Sequence, residues 1–358
     1  MILKDANVMM FSRTMGMGGT SNVMLQIIEA LSGSVNKIIV CSRGGQMVTS
    51  LQNMGIKHYN IGDISSSNPI EKMNAFLQLK NIIHDEKITV VHSHHRMAAF
   101  YTEFLRKRMK LKHIVTAHNT FYDKKLLTRL AYREANVIAC GNAVNKNLET
   151  VYGIHCVSVI HNSVKKYKVS GIANQNLRDG KKDGGFLIGN IGRLSEQKGM
   201  EYYIQSIPFV IKKHPFAKFF IIGSGDDEQK LKRLSEEIGV QVTFLGYQPD
   251  VQNLMSQLDL IVLSSLWEGF PLTPIEAFSV GKTIIATNVD GTPEIVKDNV
   301  NGCLVDPKNP IQIAEKINWL IENPDIKQKM EKEALKSFNN EYSFEKFCSQ
   351  YIQIYEKI

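Results

Sequence analysis

Short apolar runs alternate with helix-length amphipathic segments along nearly the whole chain, and this alternation restricts its fold more than anything else in the sequence. Strand-like runs fall at 7–12, 37–41, 89–93, 113–117, 136–140 and 157–160. Helical patterns between them cover 21–31, 71–84, 96–109 and 143–151. A strand joined to the next by a helix forms a right-handed βαβ unit, so the strands are expected to be parallel, with helices over both faces of the sheet. The stretch 162–185, rich in Lys, Ser, Asn, Asp and Gly, breaks the pattern and reads as a linker. The alternation then resumes with strands at 186–191, 218–222, 242–245, 260–263, 283–286 and 303–305, and helices at 200–213, 227–238, 251–258 and 311–321. The expected fold class is α/β, with two doubly wound, Rossmann-like domains in series whose strand C-termini face an interdomain cleft. The expected boundaries are 1–165, a linker at 166–184, 185–342, and a closing helix at 343–358 with apolar residues at 344, 347, 351, 352 and 355.

With 358 residues, 43% hydrophobic and 22% charged, the composition is that of a soluble globular protein large enough for two such domains. Five cysteines without C-x-x-C spacing argue against a zinc site or a disulfide framework and suit a reducing, cytoplasmic setting. No signal peptide and no apolar stretch of spanning length are read. The net charge of +8 is uneven: residues 1–165 hold 20 Lys and Arg against 10 Asp and Glu, the remainder 23 against 25. Much of the excess lies between Arg96 and Arg133, where Arg106, Lys107, Arg108 and Lys110 follow one another closely. The first domain therefore suits an anionic partner such as a membrane surface, or is simply a solvated helix face.

The chemistry concentrates in loops after strands, where open α/β sheets bind ligands. Glu268-Gly269-Phe270-Pro271-Leu272-Thr273-Pro274-Ile275-Glu276 follows the apolar run 260–263 and enters a short helix, whose start offers unpaired N–H groups to a phosphate. The two acids stand roughly 10 Å apart, too far to share a proton but suited to gripping two ends of a long polar ligand. Gly192 to Gly199 follows the strand at 186–191, and its Arg193 and Lys198 are spaced to meet one diphosphate. Gly16-Met17-Gly18-Gly19-Thr20 follows the first strand, where glycines permit either close backbone approach to a ligand or an ordinary tight turn. His118 ends the strand at 113–117. His92 and His94 point to one side of the preceding strand, a metal-like spacing without a nearby acid, so an acceptor pocket or a structural role is favoured for them. Gly223–Asp227 and Gly246–Asp250 close two further strands, with Tyr247 available to pack beside a base. No G-x-G-x-x-G with a downstream ribose-binding acid follows the first strand, which argues against a nicotinamide dehydrogenase.

Taken together these motifs resemble the retaining glycosyltransferases of the GT-B fold, specifically the large bacterial family 4. The resemblance extends to Gly291-Thr-Pro-Glu294 and Asn301-Gly-Cys-Leu-Val305. It implies transfer of a sugar from a nucleoside-diphosphate sugar, a UDP-sugar by expectation, to a hydroxyl of a lipid-linked or polysaccharide-precursor acceptor, as in capsule or O-antigen synthesis. It implies that Glu276 holds the ribose hydroxyls, that Glu268 meets the transferred sugar, and that the backbone from Gly269 through Phe270, Pro271 and Leu272 to Thr273 lies near the diphosphate. Arg193 and Lys198 would neutralise the leaving group, His118 would contact the donor sugar, and Gly18 and Gly19 would approach the donor. His94, Arg106, Lys107, Arg108 and Lys110 would lie on the acceptor or membrane side. No cofactor or metal is implied beyond the nucleotide sugar, and no nucleic-acid partner; the expected location is the inner face of the cytoplasmic membrane. The closing helix resembles the family's segment that crosses back onto the first domain. The sequence departs from the family in having Thr20 and Ser21 where an acid often follows the glycine pair, and His161-Asn-Ser-Val164 at the hinge. The rival readings are a GT-B sugar-nucleotide epimerase and a non-catalytic lipid- or nucleic-acid-binding protein.

Overall fold

The structure is a computed structural model that describes residues 3–168, 173–182 and 184–358. It divides into two compact units, one of Met1–Asn162 with Glu345–Ile358, the other of Ser163–Phe344.

The first unit runs β1 (Asn7–Phe11), α1 (Gly19–Leu31), β2 (Lys37–Ser42), α2 (Val48–Asn53), β3 (Lys57–Asn60), α3 (Pro69–Asp85), β4 (Val90–Ser93), α4 (Arg96–Met109), β5 (Lys112–Ala117), α5 (Lys125–Tyr132), β6 (Asn136–Ala139), α6 (Asn142–Asn147) and β7 (Ser158–Val159). Its described strands pair in the order β3-β2-β1-β4-β5-β6-β7, every pair parallel. The central strands are buried on both faces, as the runs Val8–Phe11 and Ile39–Cys41 require. The order reverses between β1 and β4, so with right-handed crossovers α3, α4 and α5 cover one face and α1 and α2 the other.

The second unit runs α7 (Gln175–Lys182), β8 (Phe186–Ile191), α8 (Met200–Ile211), β9 (Ala217–Ile222), α9 (Glu228–Ile238), β10 (Val242–Phe244), α10 (Val251–Gln257), β11 (Leu260–Leu263), α11 (Leu272–Ser279), β12 (Ile284–Thr287), α12 (Thr292–Ile295), β13 (Cys303–Val305), α13 (Pro310–Glu322) and α14 (Pro324–Glu341). Its described sheet is also wholly parallel, in the order β10-β9-β8-β11-β12-β13.

The last helix, α15 (Phe344–Lys357), is part of the first unit from Glu345 onward and is tied to its sheet by two phenols. The Tyr355 hydroxyl lies 2.9 Å from His92 Nδ1, and the Tyr351 hydroxyl 3.2 Å from Thr116 Oγ1, which in turn lies 2.8 Å from His92 Nε2. Tyr351 and Tyr355 are buried, so these bonds satisfy polar atoms that water does not reach.

Several elements escaped the periodicity reading. β3 is a polar edge strand (Lys-His-Tyr-Asn) with no residue fully buried, so it carries no apolar signal. The expected linker contains α7, which buries only Leu177; residues 169–172 and 183 of that linker lie outside the described residues. α14 buries Met330, Ala334 and Phe338, one residue per turn, on an otherwise charged helix. α5 was missed because two of its three leucines, Leu126 and Leu130, are exposed, while Thr128, Ala131 and Tyr132 are buried.

Tyr355→Phe leaves a ring nitrogen of His92 buried without a partner and should destabilise the first unit by about 1–3 kcal/mol. The check is a lowered urea midpoint at unchanged m value.

Candidate active site

The site of the second unit is assembled from loops at the C-terminal ends of its strands. After β8, Gly192 N–H bonds Ile222 O at 3.0 Å, and Leu194 N–H bonds Ser224 O at 3.0 Å. Gly223 N–H reaches Gly246 O at 2.8 Å, so three neighbouring strand-end loops are laced by their backbones. The approach is too close for a side chain, because a Cβ on Gly223 would sit 1.9 Å from Gly192 O and the residue has φ of +138°. A 3₁₀ turn, Glu196–Lys198, then carries the chain toward the loop after β11. Leu266 N–H bonds Gln197 O at 2.7 Å, and the Ser264 hydroxyl donates to Lys198 O at 3.0 Å.

That lacing delivers Lys198 to Glu268. Lys198 Nζ donates to Glu268 Oε1 at 2.5 Å, and the Ser265 hydroxyl donates to the same oxygen at 2.6 Å. The pair is well removed from water, with side-chain exposures of 17% for Lys198 and 6% for Glu268. Glu268 is also gripped through its backbone, its N–H donating to Asp290 Oδ2 at 2.9 Å. The loop carrying Asp290 lies against Gly269 so closely that a Cβ on Gly291 would fall 1.9 Å from Gly269 O. Phe270 is buried, and Pro271 caps α11 without a side-chain hydrogen bond. Thr273 and Pro274 occupy the first turn of α11, where the missing proline N–H is not needed.

Glu276 lies inside α11. Burial raises its carboxyl pKa to about 7, against a smaller opposing pull from Lys198. Near neutral pH it is therefore partly protonated and readily recharged by hydrogen-bond donors. Arg193 is exposed on the loop after β8, and Tyr247 is exposed beside Gly246.

The sequence reading gave Lys198 and Glu268 separate duties; the fold makes them partners across 70 residues of chain. Ser265 and Asp290 were missed altogether. Ser265 lies three residues before Glu268 and could have been suspected, whereas nothing in the sequence links Asp290 to Glu268.

In the first unit, His94 Nδ1 lies 3.1 Å from His118 Nε2, and the rings of His92, His94 and His118 form a continuous stack. Burial holds all three below the usual histidine range, His118 at about 4. Among the described residues, nothing hydrogen-bonds the buried His94 Nε2. His92 uses both ring nitrogens on Thr116 and Tyr355, and among the described residues no group of three or more His, Cys, Asp or Glu is arranged to hold a metal ion. Gly18 and Gly19 open α1 in this unit, while Met15 is fully buried. The sequence did not announce Asp63, which accepts both arms of Arg13 at 2.9 and 2.8 Å and also meets Arg43 at 3.2 Å. These bonds, the Arg13 bond foremost, hold its carboxyl at about 2.

The basic run needs correction. Arg106 is largely buried between Glu103 and Glu134, at 3.2 and 3.6 Å, and so is withdrawn from any external anion. Lys107, Arg108 and Lys110 are exposed, with Lys110 in the left-handed conformation that ends α4.

Two parallel-sheet α/β units, with an acid–lysine cluster in the strand-end loops of the second, define the class: this is a GT-B fold. The chain aligns over 99% of its length with all of an Anabaena protein solved with UDP and glucose, at a TM-score of 0.86 and 19% identity. The family model "Glycosyl transferases group 1" matches residues 173–337, and "Glycosyltransferase Family 4" matches residues 17–166. An Escherichia coli UDP-Gal:alpha-D-GlcNAc-diphosphoundecaprenol alpha-1,3-galactosyltransferase is 25% identical over 315 residues, 81% of each chain. An uncharacterized glycosyltransferase of Methanocaldococcus jannaschii is 27% identical over 296 residues, 76% of each chain. The chain belongs to family 4 of the glycosyltransferases and is a glycosyltransferase enzyme.

Because the folded Glu276 binds its proton more tightly than an unfolded one, the native state holds the extra proton between about pH 4.5 and 7, and this group lowers stability as pH rises through that window. Glu276→Gln should therefore melt about 2–4 °C above the wild type at pH 8, with the gap closing by pH 4. Paired thermal melts across that range test this. The histidines run the opposite way. His118 stays neutral in the fold down to about pH 4, so its burial term against the unfolded chain grows as pH falls below 6.5. Relative to wild type, His118→Gln should gain stability steadily from pH 6.5 to 4 in the same melts.

Proposed function

We propose that the enzyme transfers a sugar, with retention of configuration, from a UDP-sugar to a hydroxyl of a lipid-linked saccharide at the inner face of the membrane. The observation that carries the donor side of this reading is the Lys198–Glu268–Ser265 cluster beside the uncapped start of α11, with Glu276 one turn further in. A diphosphate suits a helix start and a nearby lysine, and ribose hydroxyls suit a carboxylate. The Escherichia coli relative, whose name gives a UDP-sugar donor and a diphosphoundecaprenol-linked acceptor, supports both the donor and the acceptor class.

On this reading the bond from the anomeric carbon to the diphosphate oxygen breaks and its electron pair leaves with UDP. The acceptor oxygen forms the new bond from the same face, and its proton passes to a leaving-group oxygen. Lys198, with Arg193 at the edge of the same loop, offsets the charge that grows on the diphosphate. Glu268 does not act as a base here. Its Oε1 is engaged by Lys198 and Ser265, so it aims the ammonium and offers its remaining oxygen to sugar hydroxyls. Glu276 accepts the ribose hydroxyls as a carboxylate, so donor binding expels the proton it carries near neutrality. His118 and its neighbour His94 are neutral and serve as hydrogen-bonding groups toward sugar rather than as acids. On this reading no metal ion takes part in catalysis.

Two expected outcomes test this. Lys198→Ala should lower kcat about 100-fold or more while the donor Kd moves less than about tenfold; equal turnover by the two proteins sinks the assignment. Donor binding should tighten as pH rises through about 7 and release a proton, seen by calorimetry in buffers of different ionisation enthalpy; Glu276→Gln should abolish both effects. Inversion at the anomeric carbon, read from the NMR coupling of the product, would overturn the retaining chemistry.

A further inference from the structure

We propose that the outer face of α3, α4 and α5 docks the enzyme on an anionic lipid bilayer; this rests on the lipid-linked-acceptor reading above and names the surface that serves it. The sharpest sign is α5, which is built inside out. It buries Thr128 completely and leaves Leu126 73% and Leu130 43% exposed, with Tyr122 four residues earlier also 73% exposed. A helix of a water-soluble face ordinarily turns its leucines inward and its threonine outward. α3 repeats the pattern: Ile70, Met73 and Leu77 form one exposed stripe along it. Phe104, on the exposed side of α4, joins that stripe through an edge contact with Phe76, ring centroids 5.6 Å apart. All three helices cover the same face of one sheet, so their apolar side chains point the same way.

Cations outnumber acids around this apolar surface, with Asp85 an exposed acid at the end of α3. Lys124, Lys125, Arg129 and Arg133 are exposed in and beside α5, and Lys107, Arg108 and Lys110 at the end of α4. The neighbouring acids are engaged within the fold: Asp123 by Arg96 at 2.9 Å, Glu103 by Arg106, and Glu134 by Arg106 and Arg133. Large apolar side chains interleaved with cations suit the headgroup boundary of an anionic membrane, where lysine and arginine meet phosphates while leucines enter the acyl region. The exposed side chains of α3 and α5 are mainly aliphatic (Ile70, Met73, Leu77, Leu126 and Leu130), which suits an acyl region better than the aromatic platforms on which nucleic-acid bases stack. The relevant basic surface therefore excludes Arg106, the first member of the run most conspicuous in the sequence.

The test is sedimentation of the full chain with vesicles of phosphatidylcholine containing phosphatidylglycerol, against phosphatidylcholine alone. Expected are selective binding to the anionic vesicles and a fall of about tenfold in partition between about 0.05 and 0.5 M salt. A further fall of about tenfold or more is expected in the Leu126→Glu/Leu130→Glu double variant. Ile311→Glu, a like change at an exposed site of the second unit, should bind as the wild type does. Absence of vesicle binding by the wild type, or equal binding by the double variant, overturns the proposal. So does a double variant that loses only self-association in light scattering, which would make this a surface for a second copy. The rise in melting temperature with UDP, measured on the same samples, separates the two claims. Its presence in both proteins shows the double variant folded with its donor site intact, so a binding loss counts for docking. Its absence in a wild type that still docks overturns the donor reading and leaves the docking face supported.

Discussion

Every described strand pair in both units is parallel, and the rest of the structure follows from that constraint. Parallel strands are joined by helices that return the chain to the same starting edge, so all strand-to-helix loops gather at the opposite edge. In the second unit those loops come within backbone contact of one another, Gly223 against Gly192 and Gly291 against Gly269. Segments dispersed over a hundred residues thereby become one surface, and Lys198 can meet Glu268.

The ion pair formed there is a means of placement more than of stability. A carboxylate and an ammonium removed from water gain little net free energy from each other, because desolvation offsets most of the attraction. What the pair supplies is a fixed ammonium, with Glu268 held by the Ser265 hydroxyl and Asp290 and the Lys198 carbonyl held by the Ser264 hydroxyl. Glu276 completes a graded set of acids. One is committed to a lysine, and the other is held by burial near the point of protonation.

The first unit uses buried polarity differently. His92, Thr116, Tyr351 and Tyr355 form a closed set of bonds that anchors the last helix to the sheet. His94 and His118 extend the same stack toward the strand ends, neutral because burial disfavours the charged ring. The outer helices of this unit carry the unsatisfied apolar surface, and the sheet topology alone puts α3, α4 and α5 on one face.

The sequence by itself determined the α/β class, the two-fold run of strand–helix units, most strand positions to within a residue or two, and the glycine-bearing loops at the strand ends. These are readable because burial on both faces of a parallel strand demands an apolar run, and a loop beside a backbone neighbour demands glycine. It did not reveal α2, β3, α5, α7, α12 or α14, which are short, largely polar, or turn apolar side chains outward. Tertiary structure alone decided which charges meet. Arg106 was conspicuous in the sequence yet is held by Glu103 and Glu134, whereas Lys198 and Glu268, 70 residues apart, became partners. Charge pairing depends on distances of a few ångströms between elements, and a one-dimensional pattern encodes the elements but not the separations between them.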